Sequence, residues 1–300
     1  MKRCNRRAFG LRLKGVDTSD SSARRPIEDQ TRMFTRSARN LLRIVLPLIA
    51  AGLIAGCGLD LITKRDKDQP PGPVDVLFIG NSLTSRGGVL DYVEAMAIEA
   101  DLDMTLGWGI KGHSIITHHL ESIELMTLIA SQEWDYVILQ EGSFQVAFLD
   151  SIESVVPPYE ALKEIILESS KKARIVLCMD WAWNPMPEGW PDFFEFSQIL
   201  HDGALRLARR LGFMVAPIGW MWKRVVEERP GLELMWEDRW HPNLVGGYLM
   251  ACVYFATIFQ KSPVGNDYIG ELDPEVAAYL QQTAADIVLK NRKKWRLPGS

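Results

Sequence analysis

The sequence lacks several features that would each indicate a particular class of protein. Its 300 residues carry a formal net charge of −4, so they have no excess of basic side chains with which to neutralise nucleic-acid phosphates. No internal repeat is visible along the chain. We therefore exclude nucleic acid as a partner and expect an ordinary globular fold, because 47% hydrophobic and 24% charged residues can supply a large buried core.

Cysteine is scarce as well. Only four cysteines are present, and two of them, Cys4 and Cys57, precede the segment that we expect to fold. The other two, Cys178 and Cys252, lie in apolar runs. A disulfide between them is one alternative in an oxidising compartment, whereas their apolar surroundings favour two buried thiols.

A long uninterrupted apolar run is also missing, although the N-terminal region contains a short one. Arg36, Arg39 and Arg43 precede an apolar stretch that is too short and too broken by glycine and proline for a good membrane span. The stretch ends in Ile54-Ala55-Gly56-Cys57, which resembles a bacterial lipobox. By that resemblance Cys57 is lipidated and anchors the protein on the periplasmic or extracellular side of a bacterial membrane. A transmembrane anchor with an incidental cysteine is the alternative.

Three regions follow from this organisation. Residues 1–56 are predicted to be an N-terminal extension and lipoprotein signal peptide, with Met33 a plausible true start because residues 1–32 add an arginine-rich segment that such a signal does not need. Residues 57–73 are charged and then proline-rich, which is typical of a flexible tether. Residues 74–300 are predicted to form the folded domain.

Within the domain, short β-rich apolar runs alternate with longer amphipathic segments. The strand candidates are VDVLFI, DMTLGW, WDYVILQ, ARIVLCMD and GFMVAPI. Helices are predicted over residues 89–100, 119–131, 159–170, 193–211, 220–228, 243–260 and 274–291. Apolar strands separated by helices predict a three-layer α/β/α fold with a five-stranded parallel sheet. In such sheets, ligands bind beyond the carboxyl ends of the strands.

Two loops at that predicted edge carry residues suited to chemistry. The first strand candidate runs into Gly80-Asn81-Ser82, which places a hydroxyl directly after the strand. A simple turn, with Ser82 capping the next helix, is the alternative interpretation. Near the C-terminus, Asp238 and His241 lie three residues apart at a helix entrance, a spacing that lets a carboxylate reach an imidazole. A histidine that only caps a turn before Pro242 is the alternative here.

These blocks together resemble the SGNH (GDSL-like) hydrolase family. FIGNSLT, WDYVILQEGS and DRWHPNLVGGYLMACVYFATIFQKSPVG are most similar to a branch whose first block reads Gly-Asn-Ser, and the resemblance covers roughly residues 74–265. It implies a flavodoxin-like SGNH hydrolase fold. It also implies Ser82 as nucleophile, His241 as general base and Asp238 as the carboxylate that orients it.

The resemblance further implies donors for an oxyanion. The backbone N–H groups of Ser82 and Gly112 match the first two donors of the family, and Gly112 is preferred over Gly109 because a helix-starting sequence follows it.

The third donor departs from the family pattern. The family usually carries Gly-x-Asn-Asp after the third strand, but this chain has Gly142-Ser143-Phe144-Gln145, and Phe144 cannot donate a hydrogen bond from its side chain. We predict that Gln140, at the end of the apolar strand, supplies the donor instead, with Gln145 as the alternative.

The same loops are rich in tryptophan. We predict that substrate contacts Asn81, Trp181 and Trp240. For the two tryptophans the reason is that aromatic faces cover the apolar faces of sugar rings, although plain packing would also explain them. His113, His118 and His119 lack a convincing metal-ligand spacing, so we expect no metal and no cofactor.

The sequence therefore predicts a serine esterase that removes a short acyl group, preferably acetyl, from a small-molecule or glycan ester. The alternative is a catalytically silent lipoprotein that binds glycans in the same crevice.

Overall fold

A computed structural model describes residues 73–112, 115–141 and 152–299 of the chain. It contains five strands: β1 Val74–Gly80, β2 Met104–Ile110, β3 Tyr136–Leu139, β4 Arg174–Cys178 and β5 Met214–Ala216. They form one parallel sheet in the order β2-β1-β3-β4-β5. All five strand candidates are therefore confirmed, and so is the predicted α/β fold with a parallel sheet flanked by helices.

Helices connect the strands and follow the last one. Their bounds are α1 Ser82–Ser85, α2 Val89–Glu99, α3 Ile116–His119, α4 Ile123–Ala130, α5 Ile152–Ser169, α6 Phe193–Leu211, α7 Ile218–Glu228, α8 Leu244–Phe259 and α9 Pro274–Val288. Helix α8 packs against α2 and α9, and all of its residues from Gly246 to Ile258 are buried. This explains why the sequence of α8 is apolar on every side and not amphipathic.

The central strands explain the apolar character of their sequences. The last five residues of β1 and all four residues of β3 are buried, because each strand has a neighbour on both sides and helices cover the sheet. Strand β2 lies at the edge of the sheet, where none of its residues is fully buried.

Two predicted helices have different bounds in the structure. The segment predicted as one helix over residues 119–131 is divided, because the hydroxyl of Ser122 accepts a hydrogen bond from Leu125 N and begins α4 as a separate helix. Helix α5 begins at Ile152, seven residues before its predicted start. Pro157 and Pro158 lie inside it, and such a pair in a sequence favours a helix start over a helix interior.

Several predictions fall outside the described residues. The signal peptide, Met33, the lipidation site Cys57 and all but the last residue of the tether belong to this group. Within the part of the chain that is described, no helix is long and apolar enough to cross a membrane. Cys178 and Cys252 are both buried as free thiols, so the disulfide that the sequence left open is not formed.

Candidate active site

The nucleophile candidate lies in a tightly bonded turn after β1. Asn81 is the N-cap of α1, and its side-chain oxygen accepts a hydrogen bond from Leu83 N at 3.0 Å. Its side-chain nitrogen donates to the backbone oxygen of Glu141 at 2.6 Å. Asn81 is buried and its amide bonds to protein at both ends, so it positions the turn. This is a correction to the prediction that Asn81 contacts substrate.

Gln140 fastens the same turn from the end of β3. Its side-chain oxygen accepts hydrogen bonds from Asn81 N at 3.1 Å and from the Thr84 hydroxyl at 3.0 Å. Gly80 is required for this approach, because a Cβ atom there would lie 2.9 Å from the Gln140 oxygen and from the Thr84 oxygen. The strand end, the turn and the first helical turn are thus held by one buried amide.

The acid–base candidates lie on a loop before α8 that is fixed at several points. Asn243 caps α8 by accepting a hydrogen bond from Gly246 N, and its side-chain nitrogen donates to the backbone oxygens of Glu233 and Met235. Trp236 N donates to His241 O at 3.0 Å. These bonds close the loop on itself and set the position of the histidine between them.

The three candidates form a continuous chain of hydrogen bonds. Asp238 Oδ2 lies 2.8 Å from His241 Nδ1, and His241 Nε2 lies 2.9 Å from Ser82 Oγ. Because a carboxylate can only accept, Nδ1 carries the ring proton in the neutral imidazole. Nε2 is then the acceptor, and the Ser82 hydroxyl donates to it. This is the arrangement in which an imidazole can remove the serine proton.

Asp238 is held in its ionised form. Partial desolvation raises the pKa of Asp238, but hydrogen bonds from the backbone and ring of His241 and from the backbone of Trp240 lower it to about 2. Both backbone N–H groups reach Oδ1 at 3.0 Å, which leaves Oδ2 for the imidazole ring. The carboxylate is therefore charged and correctly oriented at neutral pH.

Close glycine packing brings the nucleophile segment and the acid–base loop together. Gly87 has a φ of +68°, and a Cβ atom there would meet Asn243 O at 2.6 Å. A Cβ atom on Gly247, in the first turn of α8, would lie 1.8 Å from Gly87 O. Two backbones thus touch where any side chain would separate them, which explains how residues 159 positions apart come within hydrogen-bond distance.

The structure separates the two glycine candidates for the oxyanion site. Gly109 lies inside β2, where a Cβ atom would meet the Leu125 side chain at 2.4 Å, so packing explains it. Gly112 lies beyond the end of β2, and no atom of the described residues would lie within 4 Å of a Cβ atom there. Gly112 also lines a cavity, which favours it over Gly109 as the residue that faces a ligand.

The amide nitrogen of Gln140 is buried without a hydrogen-bond partner in the described part of the chain. The orientation of this amide is fixed, because the backbone N–H of Asn81 can only donate and therefore faces the oxygen. A buried polar group without a partner costs about 1–3 kcal/mol, so this nitrogen is a candidate donor to a bound group. Phe144 and the alternative donor Gln145 lie outside the described residues.

The tryptophans of these loops divide into two groups. Trp181 is buried and stacks on Trp222 with ring centroids 4.5 Å apart, so it is a core residue, in contrast to the prediction that it contacts substrate. Trp183, Trp190 and Trp240, the tryptophan cluster, are partly or fully exposed. The Trp183 and Trp240 centroids lie 4.8 Å apart, and Trp240 directly precedes the base candidate.

Sequence reasoning missed three residues that shape the site. Glu141 is buried and accepts a hydrogen bond from Tyr159 at 2.7 Å, and the Gln-Glu pair ending an apolar strand was the available signal. Trp108 on β2 is 60% exposed. Thr84 bonds to Gln140 from within the nucleophile helix.

Two cavities lie near these loops. A groove of about 490 Å³ runs between the start of α2 and the end of β2, and it is lined in part by Ser85, Asp91, Trp108 and Gly112. A second cavity of about 540 Å³ lies on the other side of the acid–base loop, between residues such as Trp222, Leu234 and Arg239, and includes none of the three hydrogen-bonded candidates. The groove is the space that is continuous with the oxyanion candidate Gly112.

The described histidines outside the acid–base loop belong to no metal-binding group. No group of three histidine, cysteine, aspartate or glutamate residues that could hold a metal ion occurs among the described residues, which exclude His113. His118 is exposed, whereas His119 is buried behind the end of β1. Desolvation, opposed by a hydrogen bond to the Gly80 backbone, lowers the pKa of His119 to about 4, so the ring is neutral at pH 7.

The fold has counterparts among solved structures. No family model and no curated protein matches this sequence. A DUF4886 family protein from Bacteroides uniformis superposes with a TM-score of 0.64 at 20% identity, over 72% of this chain and 95% of that protein. A protein from Parabacteroides merdae described as a GDSL-like lipase superposes with a TM-score of 0.52 at 17% identity, over 65% of this chain and 100% of that protein. At these identities the likeness shows a shared fold.

Proposed function

We propose that this protein is a serine esterase that hydrolyses a short acyl ester, with an acetyl group on a carbohydrate as the preferred substrate. The hydrogen-bond chain from Asp238 through His241 to Ser82 is the observation that carries the proposal. A serine hydroxyl is a weak nucleophile at neutral pH unless a base accepts its proton, and this chain supplies such a base.

The reaction follows from the order of the three groups. Ser82 Oγ attacks the ester carbonyl carbon while its proton passes to His241 Nε2, and the alcohol leaves with that proton. Water, deprotonated by the same nitrogen, then attacks the acyl-serine; the bond to Ser82 Oγ breaks, His241 Nε2 returns the proton to Oγ, and the carboxylic acid is released. Asp238 holds the Nδ1 proton throughout and stabilises the imidazolium that forms in each step.

The negative oxygen that develops on the carbonyl needs donors. We assign the backbone N–H groups of Ser82 and Gly112 to this task, together with the side-chain nitrogen of Gln140. The position of Gly112 in the lining of the groove supports the assignment, and so does the nitrogen of Gln140, which has no hydrogen-bond partner among the described residues. Loss of one such donor in a comparable enzyme costs about 10²–10³ in kcat.

A carbohydrate substrate is supported by the aromatic surface beside the base. Trp240 adjoins His241 and packs at an interplanar angle of 52° against Trp183, and both indoles are only partly buried. On the other side, the groove from Gly112 to Trp108 adds an exposed indole and the Asp91 carboxylate. Aromatic faces and carboxylates are the groups that bind the apolar faces and hydroxyls of sugars.

A fluorophosphonate probe tests the proposal, because it labels only an activated serine. We expect labelling of the wild type and of Ser85→Ala, which removes an exposed hydroxyl from the same helix, and no labelling of Ser82→Ala. Labelling that survives in Ser82→Ala would overturn the assignment of the nucleophile. An unlabelled wild type that still binds glycans would favour the alternative, a catalytically silent binding protein, which Phe144 at the usual asparagine position suggests.

We also propose that Cys57 is lipidated and holds the protein in the bacterial cell envelope. The lipobox-like tetrapeptide supports this. Partitioning of the full chain into detergent should be lost in Cys57→Ser. Equal partitioning of both versions would instead indicate an ordinary membrane anchor.

A further inference from the structure

A cationic pocket lies at the amino ends of the strands, whereas Ser82 follows the carboxyl end of β1. Its volume is about 310 Å³, and Lys163, Arg174 and Arg296 line it together with apolar groups around Phe213. Arg174 is the first residue of β4, and β5 begins one residue after Phe213, so the pocket lies at the amino ends of these strands. No acidic side chain is among its lining residues.

Each of the three cations is held in place by a neutral oxygen. Lys163 Nζ donates to Leu211 O at 2.6 Å, Arg174 Nη1 donates to the Tyr136 hydroxyl at 2.9 Å, and Arg296 Nε donates to Phe213 O at 2.8 Å. These acceptors fix the positions of the side chains without cancelling their charge. Within the described part of the chain, none of the three cations forms an ion pair with a carboxylate.

The backbone at Arg296 supports a specific role for this side chain. Arg296 has a φ of 58°, in the left-handed region, where a turn that ends a helical segment usually has glycine. Trp295 and Leu297 on either side of it are buried, and Leu297 N bonds to Arg292 O. The segment is therefore fixed on both sides of a residue whose backbone conformation is unfavourable and which lines the pocket.

We propose that this pocket binds an anionic group of the phosphate class. Three cations around one cavity, none of them paired with a carboxylate of the described residues, can neutralise a dianion, and guanidinium and ammonium groups are the side chains that bind phosphate oxygens. The apolar lining at Phe213 suits a carbon group attached to the phosphate. The proposal is independent of the esterase assignment, because the pocket shares no residue with that site.

Two sources of the anion share this chemistry. One is a soluble phosphate ester, and the other is the headgroup of an anionic phospholipid. Strand β1 begins at Val74 on the same edge of the sheet as Arg174, so the polypeptide that leads from Cys57 joins the domain on this side. A lipid anchor at Cys57 would bring this edge towards a membrane.

Calorimetric titration of the full-length protein in non-ionic detergent with inorganic phosphate and pyrophosphate tests the site. We expect binding that weakens as salt is raised, and a loss of about tenfold in affinity for each cation removed in Lys163→Gln, Arg174→Gln and Arg296→Gln. The matched control is Lys171→Gln with Lys172→Gln, two exposed lysines just before β4 that do not line the pocket. Equal affinity in the pocket variants and the wild type, or no binding by the wild type, would overturn the proposal.

Folding of the variants is checked with a readout from the other edge of the sheet. Aryl acetate hydrolysis, or fluorophosphonate labelling, should be unchanged in the pocket variants, and Arg174→Lys with Arg296→Lys should retain most of the phosphate affinity because it keeps both charges. If both charge-retaining and charge-removing variants bind phosphate equally weakly, shape and not charge would decide binding, against the proposal.

Vesicles distinguish the two sources. A headgroup ligand predicts that full-length Cys57→Ser floats with phosphatidylglycerol vesicles more than with phosphatidylcholine vesicles, and that Arg174→Gln with Arg296→Gln removes the difference. The other outcome is flotation that is the same for both lipids and is unchanged by the substitutions, while phosphate binding depends on the three cations. This result supports a soluble phosphate ester as the ligand. If neither phosphate binding nor vesicle flotation depends on these residues, the proposal is contradicted.

Discussion

The acid–base residues and the oxyanion donors beside Ser82 differ in how many of their hydrogen bonds are already formed in the free protein. On the acid–base side, hydrogen bonds of 2.8 Å and 2.9 Å already join Asp238, His241 and Ser82. On the oxyanion side, Gly112 lines the groove, and the Gln140 nitrogen has no hydrogen-bond partner in the described residues. The difference has a chemical reason. A base must be oriented before the reaction, whereas oxyanion donors are satisfied only by the charge that develops during it.

The comparison predicts its largest effect on the acid–base side. His241→Ala should lower kcat/KM for an activated acetyl ester by roughly four to six powers of ten, because His241 is the only described residue with a side-chain hydrogen bond to the Ser82 hydroxyl. Steady-state kinetics with a circular dichroism check of folding measure this. His118→Ala, which removes an exposed histidine, is the control and should have full activity. Comparable losses in both variants would show that the assigned base is wrong.

The second prediction separates the two roles of Gln140. Gln140→Ala should lower kcat by about two to three powers of ten with little change in KM, the mark of an interaction made mainly in the transition state. Gln145→Ala should be nearly silent.

Thr84→Val is the matched control for the positioning role, because it removes one hydrogen bond to the Gln140 oxygen and leaves the nitrogen unchanged. We expect a much smaller loss in this variant. If Thr84→Val were as harmful as Gln140→Ala, Gln140 would act only by holding the turn. A critical Gln145 with a dispensable Gln140 would instead match the donor position expected from the resemblance in sequence.

A third prediction concerns the aromatic surface beside the base. Trp240→Ala keeps the backbone N–H that bonds to Asp238, so it removes only the indole. We expect about a tenfold lower kcat/KM for an acetylated oligosaccharide, from the loss of one stacking contact, and no change for an aryl acetate. Equal losses on both esters would mean that Trp240 supports the loop and does not bind sugar.

The smallest predicted effect is on stability at acid pH. The pKa of Asp238 is about 2 in the folded protein against an ordinary value of 3.8, so its ionised form stabilises the fold above about pH 4 and loses this effect as the pH falls towards 2. The wild type should therefore have a higher free energy of unfolding than Asp238→Asn at pH 5–7, and the two values should converge near pH 2. The difference should be about 1 kcal/mol or less, because the Asp238 side chain is 45% exposed. A difference that grows on acidification would contradict the depressed pKa.

The acid–base side was predictable from sequence because its signals are local. Asp238 and His241 lie three residues apart, and Ser82 follows an apolar strand that the periodicity identifies. The oxyanion side was less predictable, since it is formed by the ends of two other strands. Gln140 was proposed as a donor from its place at a strand end, whereas the two hydrogen bonds that its oxygen accepts, from Asn81 and Thr84, depend on packing in three dimensions.

The incorrect predictions have the same origin. Asn81 and Trp181 lie in loops at the predicted edge of the sheet, but both side chains are buried, and burial decides their roles. A loop has no periodic pattern in its sequence from which the buried residues could be predicted. The early start of α5 was missed because Pro157-Pro158 indicates a helix start, whereas packing of the helix against α4 and α6 offsets the lost hydrogen bonds. The cationic pocket is formed by residues from three distant segments, which no single motif connects.

Trapping of the acyl-enzyme tests the central claim most directly. The full-length protein is mixed with an excess of aryl acetate, quenched in acid within the first turnover and digested for peptide mass spectrometry. The account predicts an acetyl group on the peptide that contains Ser82, formed at the rate of the aryl-alcohol burst and absent from His241→Ala. Turnover without any acetyl-serine, or an acetyl group on a residue other than Ser82, would contradict it.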